Sequence, residues 1–227
     1  FRTAKPYPVE GIEVADATNL LSLYDQGYPK GLSTGWDLDN SFKIFPGQFT
    51  LITGIPGHGK TTWLKNLMVR MASRHDWKFF VYSGEEASTS FAMASLMTIH
   101  SQKPFFVYPG LARINRMDVE KLTPYMNDHF MYYSLLNNEM TIEGVLEKAK
   151  EMVVRFGINA IVVDNMSSLE KRLSKNNDTR HHELGSMLGE LIKFARNHDV
   201  HVFVVAHPKK MQMVGKQYGA PSGYDVG

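Results

Sequence analysis

The sequence predicts an α/β fold in which a mostly parallel β-sheet is covered by helices on both faces. Short apolar segments without polar alternation, such as "FTLIT" at 49–53 and "AIVVD" at 160–164, are typical of strands buried on both sides. Amphipathic helical segments separate them, which is the order expected when helices connect parallel strands. The 227 residues and 43% hydrophobic content fit a chain with a full-sized core.

The predicted elements run from an N-terminal linker to a final strand. Residues 1–30 are predicted to be the linker, with an amphipathic helix at 14–25 that stops before Gly27 and Pro29. Residues 31–227 are predicted to be the core, and the loop-like ending "APSGYDVG" indicates a core truncated at its C-terminus. Helical periodicity predicts helices around 64–71, 90–100, 141–157 and 184–195, and further strands are predicted at 78–83, 129–135 and 201–207.

The composition excludes several kinds of site and argues against a membrane partner. The chain has no cysteine, which excludes disulfides, thiolate catalysis and zinc–thiolate sites. No apolar segment approaches the roughly 20 residues that cross a bilayer, so no membrane partner is expected. The net charge is only +2, but the stretch from Lys171 onward has nine Lys and Arg against five Asp and Glu. This excess of positive charge favours an anionic partner for the C-terminal stretch.

A glycine-rich segment, "GIPGHGKTT", directly follows the first predicted strand of the core. Its pattern Gly54-x-x-x-x-Gly59-Lys60-Thr61 matches the P-loop, and it lies between a strand and a helix as that motif requires. A Cβ atom at Gly57 or Gly59 would obstruct the approach of phosphate oxygens to the backbone or the required dihedral angles. Lys60 is expected to bridge the β- and γ-phosphates, and the Thr61 hydroxyl to ligate Mg²⁺. The predicted nucleotide-binding residues are Gly54, Ile55, Pro56, Gly57, His58, Gly59, Lys60, Thr61 and Thr62.

Polar residues at the ends of three other predicted strands fit the chemistry of a bound triphosphate. Asp164 closes "AIVVD" and is predicted to hold Mg²⁺ through water. The next residue, Asn165, cannot accept a proton, so the catalytic base must come from another strand. Glu85 and Glu86 follow "FFVYS" at the same expected sheet edge, and Glu85 is favoured as the residue that polarises the attacking water. His207, at the end of "HVFVVAH", is predicted to donate a hydrogen bond to the γ-phosphate.

Taken together, these motifs resemble the RecA-fold motor domain of the hexameric replicative helicases of the DnaB and Twinkle group, and most closely the phage-type primase-helicases. The resemblance runs from about Gly31 to Asp225 and rests on segments that occur in the family's order. These are "GLSTGW", "PGQFTLITGIPGHGKTTWL", "FFVYSGEEAS", "QKPFF", "AIVVDNMSSLE", "FARNHDVHVFVVAHPKK" and "GYDV". The segment "SGEE" departs from the family's commoner Ser-Leu-Glu pattern, which leaves Glu86 as a competitor for Glu85.

The resemblance implies a DNA helicase motor that hydrolyses ATP or another nucleoside triphosphate with Mg²⁺. It assigns catalysis to Glu85 and Lys60 and phosphate sensing to His207, and it implies a homohexamer in which the linker helix packs on the adjacent subunit. Single-stranded DNA is the implied partner, with a possible primase domain or partner, in the cytoplasm of a bacterium or phage-infected host. The family's arginine finger and second DNA-facing loop are expected beyond "YDV". Contacts to DNA phosphates are predicted for Lys171, Arg172, Lys175 and Arg180.

Two other functions use the same motifs. A recombinase-like or clamp-like ATPase would hold DNA on this fold without unwinding it. A small-molecule P-loop kinase would transfer phosphate to a metabolite, but the sequence between Asp164 and His207 shows no arginine-bearing lid. The kinase is therefore the weaker alternative.

Overall fold

A five-stranded parallel sheet forms the centre of residues 32–227, which confirms the predicted fold class. The computed structural model describes residues 20–27, 30–84, 88–134, 141–166, 169, 177–207, 213–214 and 217–218. The strands lie in the order β1-β5-β4-β2-β3, and each neighbouring pair is parallel. Their bounds are β1 Phe49–Thr53, β2 Phe79–Ser83, β3 Phe130–Ser134, β4 Ala160–Asp164 and β5 His201–Ala206.

Helices connect the strands and cover the sheet. Contacts divide the chain into a unit of residues 1–31, which contains α1, and a unit of residues 32–227, which contains every other element. The helices are α1 Leu20–Gln26, α2 Lys60–His75, α3 Thr89–Ser101, α4 Arg116–His129, α5 Ile142–Phe156 and α6 Asn177–His198, and β6 Met213–Val214 pairs antiparallel with β7 Gln217–Tyr218. Within the parts of the chain that the structure describes, no helix has the length and hydropathy needed to span a membrane.

The core of the larger unit has two layers, one on each face of the sheet. Successive side chains of strand β2 point into opposite layers. Phe79 and Val81 pack in the cluster with helix α2, whereas Phe80 and Tyr82 pack in the cluster with helices α5 and α6. Strands β2, β4 and β5 are buried at every residue. Apolar side chains on both faces are what a parallel sheet between two helical layers requires, so the sequence pattern is explained by the topology.

Strand β1 is less buried than the sequence predicts. Its bounds are as expected, but all five residues are at least partly exposed, and Leu51 is 38% exposed. The reason is its position at the edge of the sheet, where β5 is its only neighbouring strand among the described residues. The prediction of a fully buried strand at 49–53 was therefore wrong.

Helix α4 is absent from the sequence prediction. Of its residues only Met126 and His129 are buried, and Pro124 lies inside it, so the apolar periodicity that identifies a helix is weak. Its start is nevertheless marked locally, because the Asn115 side chain accepts a hydrogen bond of 2.8 Å from the Asp118 amide. The helix runs directly into β3, which comprises five of the seven residues predicted for this strand at 129–135; His129 closes the helix instead, and Leu135 lies outside the described residues.

The ends of α5 are formed by local interactions of the residues that border it. The Thr141 hydroxyl accepts a hydrogen bond of 3.3 Å from the Gly144 amide at the start of the helix. At its end, Gly157 takes a φ of 64°, the left-handed conformation that glycine adopts at low cost. The predicted N-terminal helix at 14–25 is described only from Leu20 onward, and residues 14–19 lie outside the described residues.

Candidate nucleotide-binding site

The predicted P-loop connects β1 directly to α2. Gly57 and Gly59 have φ values of 80° and 83°, in the left-handed region that side-chain-bearing residues rarely adopt. A Cβ atom at either position would have no other atom within 4 Å. The requirement for glycine is therefore set by backbone conformation, not by steric crowding within the loop. An absent side chain at these two positions also leaves the surface of the loop open to a ligand.

The first turn of α2 is arranged to receive an anion. The helix begins at Lys60 with Gly59 as its N-cap, so no side chain caps the exposed amides, and the first turn contains no acidic residue. The first amides of a helix lack partners within the helix, and the helix dipole gives them partial positive charge. The Thr61 and Thr62 backbone amides belong to this turn. A phosphate group is the ligand that such a helix terminus typically binds.

Lys60 folds back across the loop. Its Nζ atom donates hydrogen bonds to the carbonyl oxygens of Gly54, at 2.8 Å, and Ile55, at 3.1 Å. The ammonium group is thus held over the loop, between the end of β1 and the start of α2. A phosphate oxygen arriving at the loop would compete with these carbonyls for a charged donor, and hydrogen bonds between ionic groups are the stronger ones.

Asp164 lies at the same edge of the sheet as the P-loop. It is the last residue of β4 and is only 5% exposed, and its backbone carbonyl accepts a hydrogen bond of 3.0 Å from the Gly84 amide. Strand β5 lies between β4 and β1, so the backbones of Asp164 and Thr53 are two strand spacings apart, about 10 Å. Asp164 and the start of the P-loop therefore lie at the same edge of the sheet, with one strand between them.

These oxygen donors fit Mg²⁺. The ion prefers hard oxygen ligands, and in nucleotide sites it takes one or two protein oxygens together with phosphates and water. Thr61 and Asp164 supply a hydroxyl and a carboxylate of this kind. The described residues contain no cluster of three or more His, Asp or Glu side chains that would bind a metal without a nucleotide.

The chain beyond Asp164 is anchored to the neighbouring strand. Asn165 is 1% exposed, its peptide bond with Asp164 is cis, and the Met166 amide donates a 2.9 Å hydrogen bond to the Val205 carbonyl. This last bond keeps the first residues after β4 beside the end of β5.

His207 directly follows the last residue of β5. The register pairs Ala206 of β5 with Thr53 of β1, which places His207 next to the start of the P-loop. Its side chain is half-buried. The Thr53 hydroxyl is buried and has no hydrogen-bond partner among the described residues, so a polar group remains available beneath the loop. The position of His207, at the end of β5 and beside the start of the P-loop, would allow its side chain to contact a group bound in the loop.

A loop before β1 is held together by a carboxylate network, and it packs on α2 through Trp36. The Asp39 carboxylate accepts hydrogen bonds from the Ser33 hydroxyl, from the Thr34 amide and hydroxyl at 2.7 Å each, and from the Gly35 amide at 3.1 Å. The bonds from the Ser33 and Thr34 hydroxyls hold the pKa of Asp39 well below its usual range. The next residue of the loop, Trp36, lies against Trp63 of α2 with ring centroids 5.6 Å apart.

An open cleft of about 520 Å³ borders the P-loop on the outer side of β1. The rings of Phe42 and Trp63 and the side chain of Leu38 form its apolar wall, and the other lining residues belong to β1 and to the segment His58–Lys60. This cleft is not predicted from the sequence, because it depends on β1 being at the edge of the sheet. Trp63, three residues after the P-loop lysine, was the only local signal.

Several predicted site residues lie wholly or partly outside the part of the chain that the structure describes. Glu85 and Glu86 lie outside the described residues, which resume at Ser88 after Gly84. Lys171, Arg172 and Lys175 also lie outside them, and Arg180 is within α6 but its side chain is not described. Their roles remain predictions. The structure does bring together the P-loop, Asp164 and His207 at one sheet edge, as the sequence analysis expected.

Relatives and solved structures support this interpretation of the fold. The chain is 33% identical over 233 residues to the protein named "Twinkle homolog protein, chloroplastic/mitochondrial" of Arabidopsis thaliana; the match covers 98% of this chain and 32% of that protein. It superposes on a DnaB-like replicative helicase, from a study of its interactions with primase, with a TM-score of 0.67 at 18% identity, covering 95% of this chain and 53% of that one. A second solved structure, described as an ATPase domain, gives a TM-score of 0.66 at 18% identity, covering 93% of this chain and 78% of that one.

The chain thus spans about a third of the plant relative and about half of the DnaB-like helicase. Its fold is that of the RecA-like ATPase domains of replicative helicases, as the sequence resemblance implied. A family model described as "AAA domain" matches residues 43–213, a range that contains the P-loop, Asp164 and His207. The chain belongs to this AAA domain family.

Proposed function

We propose that this chain is the ATP-driven motor of a replicative DNA helicase that moves along single-stranded DNA and unwinds duplex. The observation that carries the proposal is the P-loop, with Lys60 held over it, on the same sheet edge as the buried carboxylate of Asp164. The fold shared with the DnaB-like helicase and with the second solved ATPase domain supports it. The likeness to the plant Twinkle homolog supports it independently, because that match is in sequence.

The P-loop binds the triphosphate in this proposal. The Lys60 ammonium exchanges its bonds to the Gly54 and Ile55 carbonyls for bonds to the β- and γ-phosphates. Thr61 and Asp164 are the residues that would hold Mg²⁺, which when bound neutralises part of the charge on the phosphates. The apolar cleft beside Trp63 is suited to the uncharged end of the nucleotide.

Glu85 orients the attacking water. The register pairs Ser83 with Asp164, and the Gly84 amide donates a 3.0 Å hydrogen bond to the Asp164 carbonyl, so the chain reaches the proposed metal ligand at Gly84. Glu85 comes two residues after Ser83, and Glu86 is the alternative. His207 contacts the γ-phosphate at the end of β5 and transmits its loss to the chain that follows.

The assembly we propose is a homohexamer that encloses single-stranded DNA. Lys171, Arg172, Lys175 and Arg180 contact the DNA phosphates, so binding weakens as salt concentration rises. A primase domain or partner is included in the proposal because the DnaB-like relative was studied with its primase. The cytoplasm of a bacterium or phage-infected host is the proposed location.

Phosphate release with and without single-stranded DNA tests the proposal. Hydrolysis of ATP that DNA stimulates is expected, and it would exclude the metabolite kinase. Strand separation on a forked duplex then distinguishes a helicase from a clamp or recombinase. Hydrolysis that DNA leaves unchanged would contradict the DNA-motor assignment.

The variants Glu85→Gln and Glu86→Gln form a matched pair that tests the catalytic base. Glu85→Gln is expected to bind nucleotide normally and to lower turnover by about 100-fold or more, since a positioned general base contributes that much. Glu86→Gln should hydrolyse ATP at nearly the unmodified rate. The reverse result would transfer the role to Glu86.

A further inference from the structure

Two neighbouring strands of the central sheet end in polar residues that lie side by side. The register pairs Ser83, the last residue of β2, with Asp164, the last residue of β4. Neighbouring strands lie about 4.8 Å apart, so the two backbones are one strand spacing from each other at this point. Ser83 is thus the residue of β2 that lies directly beside the proposed Mg²⁺ ligand.

The two side chains lie on the same face of the sheet. Successive side chains of a strand alternate between faces, and Val81 and Val162, two residues earlier in each strand, both pack in the cluster with helix α2. The alternation therefore directs the side chains of Ser83 and Asp164 to the α2 side of the sheet. Helix α2 carries Thr61, the other proposed Mg²⁺ ligand, in its first turn.

Both polar residues are removed from water. Ser83 is 8% exposed and Asp164 is 5% exposed. A hydroxyl or carboxylate that is buried to this extent gives up hydrogen bonds to water and needs replacements from the protein or from a bound ion. On the other side of β4, the register pairs Asp164 with the apolar residue Val205. Of the two strands that flank β4, β2 is therefore the one that places a hydroxyl beside the carboxylate.

The backbone holds this pair of residues in place. The parallel register between β2 and β4 is continuous from Phe79 to Ser83. Directly after it, the Gly84 amide donates a 3.0 Å hydrogen bond to the Asp164 carbonyl. The positions of the two residues are therefore fixed by the sheet, and the hydroxyl of Ser83 is directed only by its side-chain torsion angle.

We infer that Ser83 is a positioning residue for Mg²⁺, because its hydroxyl donates a hydrogen bond to one oxygen of the Asp164 carboxylate. The other carboxylate oxygen then remains directed toward the ion or toward a water bound to it. The inference rests on the Mg²⁺ site of the proposed function. Carboxylates that ligate metals are usually hydrogen-bonded themselves, and the partner fixes their orientation. A hydroxyl suits this role because it donates a hydrogen bond without adding a charge that would compete with the ion.

Nucleotide binding with and without Mg²⁺ tests the inference. A non-hydrolysable ATP analogue is titrated into residues 1–227, once with Mg²⁺ and once with EDTA in its place. In EDTA the P-loop and Lys60 bind the phosphates without the ion, so Ser83→Ala should bind as the unmodified chain does. In Mg²⁺ this variant should bind about tenfold more weakly, as is usual when a group that orients a metal ligand is lost. Equal affinities of the variant and the unmodified chain in Mg²⁺ would overturn the inference.

Two further variants distinguish an orienting hydroxyl from a structural one. Ser83→Thr keeps a hydroxyl and should restore the affinity in Mg²⁺. Val81→Ala, at a 2% exposed position on the same strand and face, removes apolar packing only. It should lower the free energy of unfolding and leave the ratio of the affinity in Mg²⁺ to the affinity in EDTA unchanged. If Val81→Ala lowers this ratio as much as Ser83→Ala does, loss of packing explains both results and the inference is wrong.

A double-mutant cycle shows whether Ser83 acts through Asp164. Asp164→Asn removes the charged ligand, so adding Ser83→Ala to it should leave the affinity in Mg²⁺ unchanged. A further tenfold loss in the double variant would place the effect of the hydroxyl elsewhere and contradict the inference. Binding is measured without DNA, so hydrolysis that ignores DNA would reject the motor and leave this result intact. An unmodified chain whose nucleotide affinity does not depend on Mg²⁺ would overturn the metal site and this inference with it.

Discussion

Protonation of His201 is predicted to destabilise the fold at mildly acidic pH. This residue begins β5 and is 1% exposed. Its Nδ1–H donates a 2.7 Å hydrogen bond to the Phe45 carbonyl, and its Nε2 accepts one of 2.8 Å from the Thr50 hydroxyl. This arrangement suits the neutral ring. A second proton would place a positive charge on a ring that is almost completely removed from solvent.

The size of the effect follows from the pKa. Burial lowers the pKa of His201 from 6.5 to about 4. Between these two pH values the unfolded chain binds a proton at this residue and the folded chain does not, so the free energy of unfolding falls as the pH falls. The contribution is fully present above pH 6.5. Because one pH unit corresponds to about 1.4 kcal/mol, the total loss by pH 4 is about 3 kcal/mol.

Denaturant unfolding followed by circular dichroism at a series of pH values measures this loss. The variant His201→Gln removes the titrating group, and its amide can donate to the Phe45 carbonyl and accept from Thr50. The difference in unfolding free energy between the unmodified protein and this variant should shrink by about 3 kcal/mol from pH 7 to pH 4. The control Val154→Gln, at a 78% exposed position of α5, changes no titratable group and should give a difference that does not change with pH. If the difference in unfolding free energy for His201→Gln also stays constant between pH 7 and pH 4, the prediction is wrong.

Three further predictions concern the P-loop and the core. Lys60→Ala should weaken nucleotide binding roughly 10- to 100-fold in a titration, because charged hydrogen bonds are lost, and should leave the circular dichroism spectrum unchanged. Gly59→Ala should lower the free energy of unfolding, measured with denaturant, by about 1–2 kcal/mol, because a φ of 83° strains any residue with a Cβ atom. His129→Leu should lower the free energy of unfolding by about 1–3 kcal/mol in the same assay, because the buried ring hydrogen-bonds to the Tyr125 carbonyl at 2.9 Å and to Asp76 at 3.0 Å. An unchanged unfolding midpoint would show that apolar packing alone holds that side chain.

The sequence was sufficient wherever a feature is local. The apolar segments at 49–53 and 160–164 have the bounds of β1 and β4, because each is a short run with polar or glycine residues on both sides. The position of the P-loop segment between β1 and α2 was predicted for the same reason, since its spacing is contained within nine residues. Helix α4 was missed because it buries only Met126 and His129, so that most of its surface carries no periodic signal.

Features that depend on strand order could not be read from the sequence. A short apolar run looks the same in a central strand and at an edge, so the exposure of Leu51 and the cleft beside it were unpredictable. The hydrogen bond between Thr50 and His201 joins residues 151 positions apart, and it exists only because β1 and β5 are neighbours. The chemistry of a residue can thus be expected from its type, whereas its pKa depends on which elements surround it.

Strand order also explains how the site can respond as one unit. Strand β5 lies between β1, which leads into the P-loop, and β4, which ends at Asp164. Continuous backbone hydrogen bonds across these three strands keep the phosphate-binding loop and the carboxylate at a fixed separation, because every strand involved is held along its length. His207 follows the middle strand and lies between them. If His207 contacts the γ-phosphate as proposed, the loss of that group would first change a contact at the end of β5.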